Sequence, residues 1–176
     1  AVGNNTIGVA GSGYEAGIVG IRLIEAATND LQEAQALGHQ VAPASANDRV
    51  HINTNSWGPI DDAARLETMG PLTMAAVENG IANGRGGLGI IYVWAAGNGR
   101  ESTDNVNYDG YASSRYTIAV GASGGNGTYS YYSEEGASML VTAPSSYTSA
   151  GTTTTEFSST YTSSFGGTSS ACPLVA

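Results

Sequence analysis

The chain has 176 residues, of which 41 % are hydrophobic, and this is room for one compact domain. Fifteen acidic and six basic residues give a formal net charge of −9. Nucleic acids and anionic membranes bind basic surfaces, so this charge argues against both as partners. The longest apolar run, 88–96, is too short to span a bilayer. A single cysteine, Cys172, excludes an internal disulfide framework.

Apolar runs alternate with helical patterns along the chain. The sequence predicts strands at 18–24, 50–55, 88–96, 116–121 and 139–143. It predicts a helix over 28–37 with Gly38 as its stop, and a second helix that starts at Pro71 and can end at Gly84. The strand–helix alternation and the nearly unbroken hydrophobicity of 88–96 predict an α/β fold with a mostly parallel sheet.

Helical spacing predicts one apolar face on each helix: Leu31, Ala34 and Leu37 on the first, and Met74, Val77 and Ile81 on the second. The glycine-rich stretch 121–127 follows a strand, as phosphate-binding loops do. No helical pattern follows it, so a hairpin or surface turn is expected.

Residues 145–170 are rich in Ser and Thr, with four consecutive threonines at 152–155. This composition fits either a disordered or glycosylated stalk or a polar surface loop. We expect the loop, because an apolar segment that contains proline resumes at Ala171.

The tetrapeptide Ala-Gly-Asn-Gly at 96–99 directly follows the strongest predicted strand. Ligands bind at the carboxyl ends of parallel strands, and the amide of Asn98 could there donate a hydrogen bond to a developing oxyanion. Asn-Gly is also an ordinary turn sequence, and the tetrapeptide alone favours the turn.

Segment 166–173 places Ser169 among small residues at the expected start of a helix. Backbone N–H groups and the helix dipole would favour an anion there, as a nucleophilic serine requires, although a Ser/Thr helix cap explains the segment equally well. Acidic residues follow the predicted strands: Asp61, Asp62, Asp104, Asp109, Glu134 and Glu135. Crowded carboxylates need a cation, either a metal ion or a basic substrate.

Five segments in this order resemble the kexin/furin branch of the subtilisin-like serine proteases: 55–62 (NSWGPIDD), 84–99 (GRGGLGIIYVWAAGNG), 104–111 (DNVNYDGY), 132–134 (YSE) and 167–173 (GTSSACP). The first and third blocks are specific to that branch, whereas Ala-Gly-Asn and Gly-Thr-Ser mark all subtilases. The likeness covers essentially the whole chain. It implies a subtilisin-like three-layer α/β/α fold that is incomplete in this chain.

The resemblance implies roles for individual residues. Ser169 matches the nucleophile and Asn98 the oxyanion-hole donor. Asp109 matches the acid at the base of the pocket for an Arg or Lys at P1, the substrate residue whose carbonyl is cleaved, and Asp61 serves that pocket and a calcium ion. Other substrate-binding positions are matched by Ser56, Trp57 and Gly58, which pair with the substrate backbone, and by Glu33, Glu67 and Tyr111, which form walls of the P4 subsite.

The resemblance also implies structural Ca²⁺. Asp61, Asp104 and Glu134 match the carboxylates of one calcium site, and oxygen ligands suit a hard cation. Residues 3–9 resemble a second calcium loop, whose ligands would be the carbonyls of Gly3, Ile7 and Val9 and the side chain of Asn5.

The histidines depart from the family pattern. A subtilase needs Asp, His and Ser in chain order, and the family His precedes Gly-Thr shortly before the Asn-Asn loop. Neither His39 nor His51 is followed by Gly-Thr, and no His precedes residue 5. We therefore expect 1–176 to be a partial catalytic domain that begins after the catalytic His and stops inside the Ser-bearing helix. It should be inactive alone.

The predicted function is a calcium-dependent serine endopeptidase that cleaves peptides or proproteins after basic, often paired, residues. A second class is left open, namely a non-catalytic subtilase-like domain that binds basic peptides. The resemblance further implies a monomer in the secretory pathway or outside the cell, with a propeptide or P-domain beyond these residues.

Overall fold

A computed structural model describes residues 6–39, 41–42, 45, 48–148 and 150–176. Its helices and strands are α1 (Asp30–Leu37), β1 (Ile52–Asn55), α2 (Pro71–Gly87), β2 (Ile91–Ala95), β3 (Thr117–Ser123), β4 (Met139–Pro144), β5 (Thr152–Glu156), β6 (Thr160–Phe165) and α3 (Thr168–Val175). None of the helices in these described ranges is long and apolar enough to cross a membrane.

Strands β1 to β4 form one parallel sheet, as the sequence predicted, and within it they lie in chain order. In its register Asn55 of β1 lies opposite Trp94 of β2, and Trp94 lies opposite Ala119 of β3. Because all four strands run the same way, their carboxyl ends meet at one edge, and the loops that follow them are brought together there.

The side chains of β2 alternate between two layers of helices. Tyr92 and Trp94 belong to the core cluster that includes residues of α1 and α2. Val93 and Ala95 belong to the cluster that includes Cys172 of α3. A strand that is buried on both faces is hydrophobic at every position, which explains the unbroken apolar run. The three-layer α/β/α arrangement expected from the sequence is therefore present.

Helices α1 and α2 are joined through their amino ends. Asn29 and Gln32 form a capping box at the start of α1, with hydrogen bonds of 3.0 and 3.1 Å. The carboxylate of Asp30 accepts hydrogen bonds from the N–H groups of Leu72 and Thr73 in the first turn of α2. Desolvation alone would raise the pKa of Asp30, but these hydrogen bonds outweigh it and lower the pKa.

The expected strand at 18–24 is wrong. Among the described residues this segment has no ladder partner, and the side chains of Ile18 and Val19 are 87 % and 59 % exposed. An apolar run becomes a strand only where a neighbouring backbone completes its hydrogen bonds.

The polar surface loop expected to end at Gly166–Gly167 is only partly correct, because the segment is mostly exposed but contains regular strands. Within it β5 and β6 form an antiparallel hairpin, in which Thr152 lies opposite Phe165 and Glu156 opposite Thr160. Threonine is β-branched and favours strands, so the four threonines are strand residues without an apolar face. The turn expected at 121–127 is confirmed, because Gly124 N–H donates to the carbonyl of Thr128 at 2.7 Å.

The apolar face predicted for α1 is only partly correct. Leu37 is buried, whereas Leu31 is 55 % exposed. Successive residues of an α-helix are rotated by about 100° around its axis. Leu31 and Leu37 are six residues apart, so their side chains point in directions that differ by about 120°. On α2, Val77 is fully buried, Met74 is half-buried and Ile81 lies at the exposed border.

These two leucines of α1 provide a matched test of the packing. We expect Leu37→Ala to lower the free energy of unfolding by roughly 2–5 kcal/mol, because it empties a buried site. The change Leu31→Ala should alter it by less than about 0.5 kcal/mol. Urea unfolding followed by circular dichroism measures both, and equal losses would contradict the observed orientation of α1.

Candidate active site

The carboxyl ends of β1 and β2 and the amino end of α3 meet at a pocket of about 120 Å³. Both predicted catalytic residues, both predicted P1 acids and the predicted backbone-pairing segment contribute to it. Its lining residues are Ser56, Trp57, Gly58, Pro59, Asp61, Ala95, Gly97, Asn98, Asp109, Thr168 and Ser169. The fold thus brings together residues that lie as far apart in the sequence as 56 and 169.

Ser169 is the second residue of α3, and its position is fixed from two sides. The helix follows Gly167, whose φ of 75° is a conformation that glycine adopts without strain. The hydroxyl of Ser56 donates a hydrogen bond of 2.9 Å to the carbonyl of Ser169, and so joins the loop after β1 to α3. The serine side chain stands at the pocket near the helix start.

The side chain of Asn98 is oriented by the residue that precedes Ser169. Its Oδ1 atom accepts hydrogen bonds from the N–H of Thr168 at 2.8 Å and from the Thr168 hydroxyl at 3.1 Å. The oxygen is therefore engaged on α3, so the NH₂ group lies on the side of the amide that faces away from these two donors. The backbone N–H of Asn98 donates to Asp61 Oδ2 at 3.0 Å. The sequence did not single out Thr168, although it stands within the Gly-Thr-Ser motif.

Asp109 supplies a half-buried negative charge to the pocket. Burial raises the pKa of its carboxyl to about 6, hydrogen bonds from the N–H groups of Tyr111 and Ala112 act to lower it, and the charges of Asp61 and Glu67 act to raise it. Its other oxygen, Oδ2, lies close to Gly58: a Cβ atom there would stand only 3.1 Å away. The missing side chain at position 58 leaves this oxygen accessible from the pocket.

The segment 56–58 is held in place by packing of the Trp57 ring against the rings of Trp94 and Tyr111. The ring of Trp57 lies edge-on to Trp94 and Tyr111, with centroid distances of 4.8 and 5.4 Å. The indole N–H of Trp94 donates to the carbonyl of Trp57 at 2.6 Å, and the indole N–H of Trp57 donates to Asn55 at 3.1 Å. Trp94 was read from the sequence only as a core residue, but it holds the loop that carries the pocket.

A second pocket of about 300 Å³ lies on the other side of 57–59. It brings together Glu33, Glu67 and Tyr111, the residues expected to form the P4 subsite. Both oxygens of Glu33 accept hydrogen bonds of 2.7 Å, one from the hydroxyl of Tyr111 and one from Thr28. Glu67 lies 3.6 Å from the guanidinium of Arg65. An extended peptide along 57–59 would reach both pockets.

The carboxylates of Asp61, Asp104 and Glu134 form a cluster beside the first pocket. One oxygen from each lies within 4.8 Å of the others. Burial raises the pKa of Glu134 to about 8, a hydrogen bond from Gly99 N–H acts to lower it, and the charges of Asp61 and Asp104 raise it further. The ion pairs among the described residues involve other acids. Three convergent carboxylates are the donor set of a hard divalent cation, so these residues fit Ca²⁺.

The backbone at 97–99 passes very close to this cluster. A Cβ atom at Gly97 would stand 2.3 Å from Glu134 Oε1, and one at Gly99 would stand 2.7 Å from the Cβ atoms of Asp61 and Asp104. Side chains at positions 97 and 99 would push the carboxylates apart. The glycines on both sides of Asn98 therefore serve the carboxylate cluster.

The remaining predicted ligands belong to the loop 3–9, only part of which lies among the described residues. Gly3 and Asn5 lie outside the described residues, while Ile7 and Val9 lie near the start of the described chain, with Ile7 65 % exposed. The second calcium loop stays a prediction.

The cysteine and the two histidines of the chain do not line the pocket. Cys172 is fully buried, which raises the pKa of its thiol, and its sulfur lies 3.4 Å from the hydroxyl of Thr54. His39 follows α1 and His51 precedes β1, and neither lines either pocket.

Comparisons with known proteins agree with the motifs. The Subtilase family profile matches residues 1–176. The chain is 38 % identical over 178 residues to proprotein convertase subtilisin/kexin type 4 of Homo sapiens. This match covers 100 % of this chain and 23 % of that protein. It is 38 % identical over 174 residues to the dibasic-processing endoprotease of Schizosaccharomyces pombe, with 99 % of this chain and 24 % of that protein covered. The chain thus spans about a quarter of the length of these relatives.

Solved structures show the same fold. A protease from Pseudoalteromonas arctica is 28 % identical, with a TM-score of 0.73 over 100 % of this chain and 53 % of that one. A cold-adapted subtilisin-like serine proteinase is 20 % identical, with a TM-score of 0.67 over 94 % of this chain and 52 % of that one, and supports the fold alone. By its motifs, its fold and the match along all of its residues, this chain belongs to the subtilase family.

Proposed function

We propose that this chain carries the nucleophile, the oxyanion donor and the substrate pocket of a calcium-dependent serine endopeptidase that cleaves after basic, often paired, residues. The observation that carries this proposal is the convergence of Ser169, Asn98 and Asp109 on one pocket. The names of the relatives, a proprotein convertase and a dibasic-processing endoprotease, support the same substrate class.

In this mechanism the hydroxyl oxygen of Ser169 attacks the scissile carbonyl carbon and gives up its proton to a general base. The carbonyl oxygen then carries the negative charge. It receives hydrogen bonds from the Asn98 amide and from the backbone N–H of Ser169 at the start of α3. Thr168 contributes by holding the other end of the Asn98 amide, so that the NH₂ group is already oriented before charge develops.

The proton acceptor for Ser169 is the component that these residues do not provide. His39 and His51 are the only histidines of the chain, and both lie outside the pocket. We propose that the general base comes from sequence beyond these 176 residues. The greater length of the relatives is compatible with this assignment.

The charge of the pocket accounts for the basic substrate. Asp109 is half-buried and has no ion-pair partner among the described residues, and Asp61 adds a second negative charge nearby. An Arg or Lys side chain that enters would pair with a partly desolvated carboxylate, and close charge pairs of this kind can give several kcal/mol of coupling energy.

The carboxylate cluster is the proposed calcium site. A bound Ca²⁺ would neutralise the repulsion among Asp61, Asp104 and Glu134. The carboxylates of Asp61 and Glu134 accept hydrogen bonds from the N–H groups of Asn98 and Gly99, so their fixed positions would in turn fix the oxyanion donor. We further propose proprotein substrates, a monomer, a secretory or extracellular location, and a propeptide or P-domain beyond this chain.

The role of Asp109 can be tested by binding alone. We expect Asp109→Asn to weaken binding of a fluorescent peptide that ends in Lys-Arg by at least about 2 kcal/mol, roughly thirtyfold, because it removes the buried charge that faces the guanidinium. Fluorescence anisotropy measures the affinity. The matched control is Asp48→Asn, a change at an exposed residue, which should leave the affinity unchanged. A peptide with Gln in place of Arg should bind to Asp109→Asn and to the wild type with equal affinity.

The pH dependence follows from the same carboxyl group. Because the pKa of Asp109 is raised to about 6, its carboxylate is charged above that pH and neutral below it. Affinity for the basic peptide should therefore fall as the pH drops through 6. Binding that is independent of pH in this range would assign recognition to another group.

Calcium binding can be measured by isothermal titration calorimetry. We expect Asp104→Asn and Glu134→Gln each to weaken Ca²⁺ binding at least roughly tenfold, because each removes a charged ligand, whereas the exposed Glu101→Gln should not. At a Ca²⁺ concentration one hundred times the Kd, the wild type should gain about 2.7 kcal/mol of stability. Equal affinity in all four proteins would rule out this cluster as the site.

Catalysis requires the missing base. The chain alone should give no turnover of a fluorogenic Arg-Arg peptide. A fusion that joins the segment of the Schizosaccharomyces pombe relative that precedes the matched region to this chain should give turnover that Ser169→Ala abolishes. Turnover by the chain alone would contradict the assignment of the base. Peptide binding without turnover in a folded fusion would favour a non-catalytic binding domain.

A further inference from the structure

Four asparagines of the chain are followed by glycine: Asn79, Asn83, Asn98 and Asn126. In such a pair the backbone nitrogen of glycine, having lost its proton, can attack the asparagine Cγ atom. The bond between Cγ and Nδ2 breaks, and the amide nitrogen leaves as ammonia. Water then opens the resulting succinimide ring to aspartate or isoaspartate. At position 98 this reaction would replace the amide donor in the pocket with a carboxylate, which can only accept.

The side chains of Asn98 and Asn126 make matching contacts through their oxygens. Asn98 Oδ1 accepts from the N–H and the hydroxyl of Thr168 at 2.8 and 3.1 Å. Asn126 Oδ1 accepts from the N–H and the hydroxyl of Thr128 at 3.1 and 2.7 Å. Donors at a carbonyl oxygen stabilise the negative charge that forms there when its carbon is attacked. Both side chains are therefore activated toward ring closure.

The nitrogens that would attack are held differently. The N–H of Gly99 donates to Glu134 Oε1 at 3.0 Å, and both residues are buried. The N–H of Gly127 donates at 3.0 Å to the backbone carbonyl of Gly124, and residues 125–129 of this turn are exposed. A buried hydrogen bond keeps the N–H group away from water and base, so the nitrogen rarely loses the proton that it must lose before it can attack. A hydrogen bond in an exposed turn is easily exchanged for one with water and gives much less protection.

We propose that Glu134 protects Asn98 from spontaneous deamidation by holding the N–H of Gly99, and that Asn98 therefore deamidates more slowly than Asn126. Glu134 is thus a positioning residue that acts through Gly99 and preserves the side chain of Asn98. The chemistry is independent of the proposed peptidase function. Only its consequence, loss of the oxyanion donor, rests on that function.

In the wild-type chain, the deamidation rate at Asn126 is the reference for the rate at Asn98. Trypsin cleavage after Arg85, Arg100 and Arg115 places positions 98 and 126 in separate peptides. After incubation of the full chain at mildly alkaline pH, mass spectrometry of these peptides measures the conversion of each amide to an acid. We expect Asn98 to convert roughly tenfold more slowly than Asn126, a factor that one buried hydrogen bond supplies. Equal rates at the two positions would overturn the proposal.

Two variants separate the hydrogen bond from the charge of the cluster. Glu134→Ala removes the acceptor and should raise the rate at Asn98 toward that of Asn126. Glu134→Gln also removes the charge but keeps a carbonyl acceptor at the same place, so its Asn98 should convert at close to the wild-type rate. Asn79, in the regular part of α2, reports whether the fold persists.

Each other result counts against the proposal. An unchanged rate at Asn98 in Glu134→Ala would show that the hydrogen bond gives no protection. Equal acceleration in Glu134→Ala and Glu134→Gln would assign the protection to the charge cluster as a whole. Acceleration at Asn79 together with Asn98 would assign it to the global fold.

Discussion

The close approach of three carboxylates to the backbone at 97–99 is the constraint on which the rest of the site depends. Asp61 and Glu134 accept hydrogen bonds from consecutive N–H groups, those of Asn98 and Gly99. These contacts fix the backbone of Asn98, the proposed oxyanion donor. Thr168 fixes its side chain from the opposite side. A group that must stabilise charge as it develops has to be oriented beforehand, and both ends of this one are held.

The same arrangement explains the acidic composition. Buried carboxylates that repel one another are costly unless a cation neutralises them, and the raised pKa values of Asp109 and Glu134 express that cost. Two clusters of negative charge, separated by the backbone at 97–99, fit two different cations. In the proposed function, one would bind a divalent metal ion and the other the side chain of a basic substrate. Asp61 takes part in both, so metal binding and substrate binding would be coupled through it.

The order of the motifs along the chain predicted most of the site because the sheet is parallel. Segments that follow β1 and β2 end at the same edge, so 55–62 and 96–99 had to meet there, and Gly-Thr-Ser joined them through α3. The predictions of secondary structure that were wrong concern segments with no neighbouring strand or no apolar periodicity. Segment 18–24 is apolar but has no ladder neighbour among the described residues, and β5 and β6 have no apolar face for periodicity to detect.

By itself the sequence determined the α/β class and the family, and it predicted seven of the eleven residues that line the pocket, since motif identity and strand order are one-dimensional properties. Only the tertiary structure decided how those residues act on one another. Hydrogen bonds between residues 98 and 168, and between 99 and 134, depend on side-chain direction and on approach distances that spacing does not encode. The burial that shifts the pKa values of Asp109 and Glu134 arises in the same way, because desolvation is a property of the packed molecule.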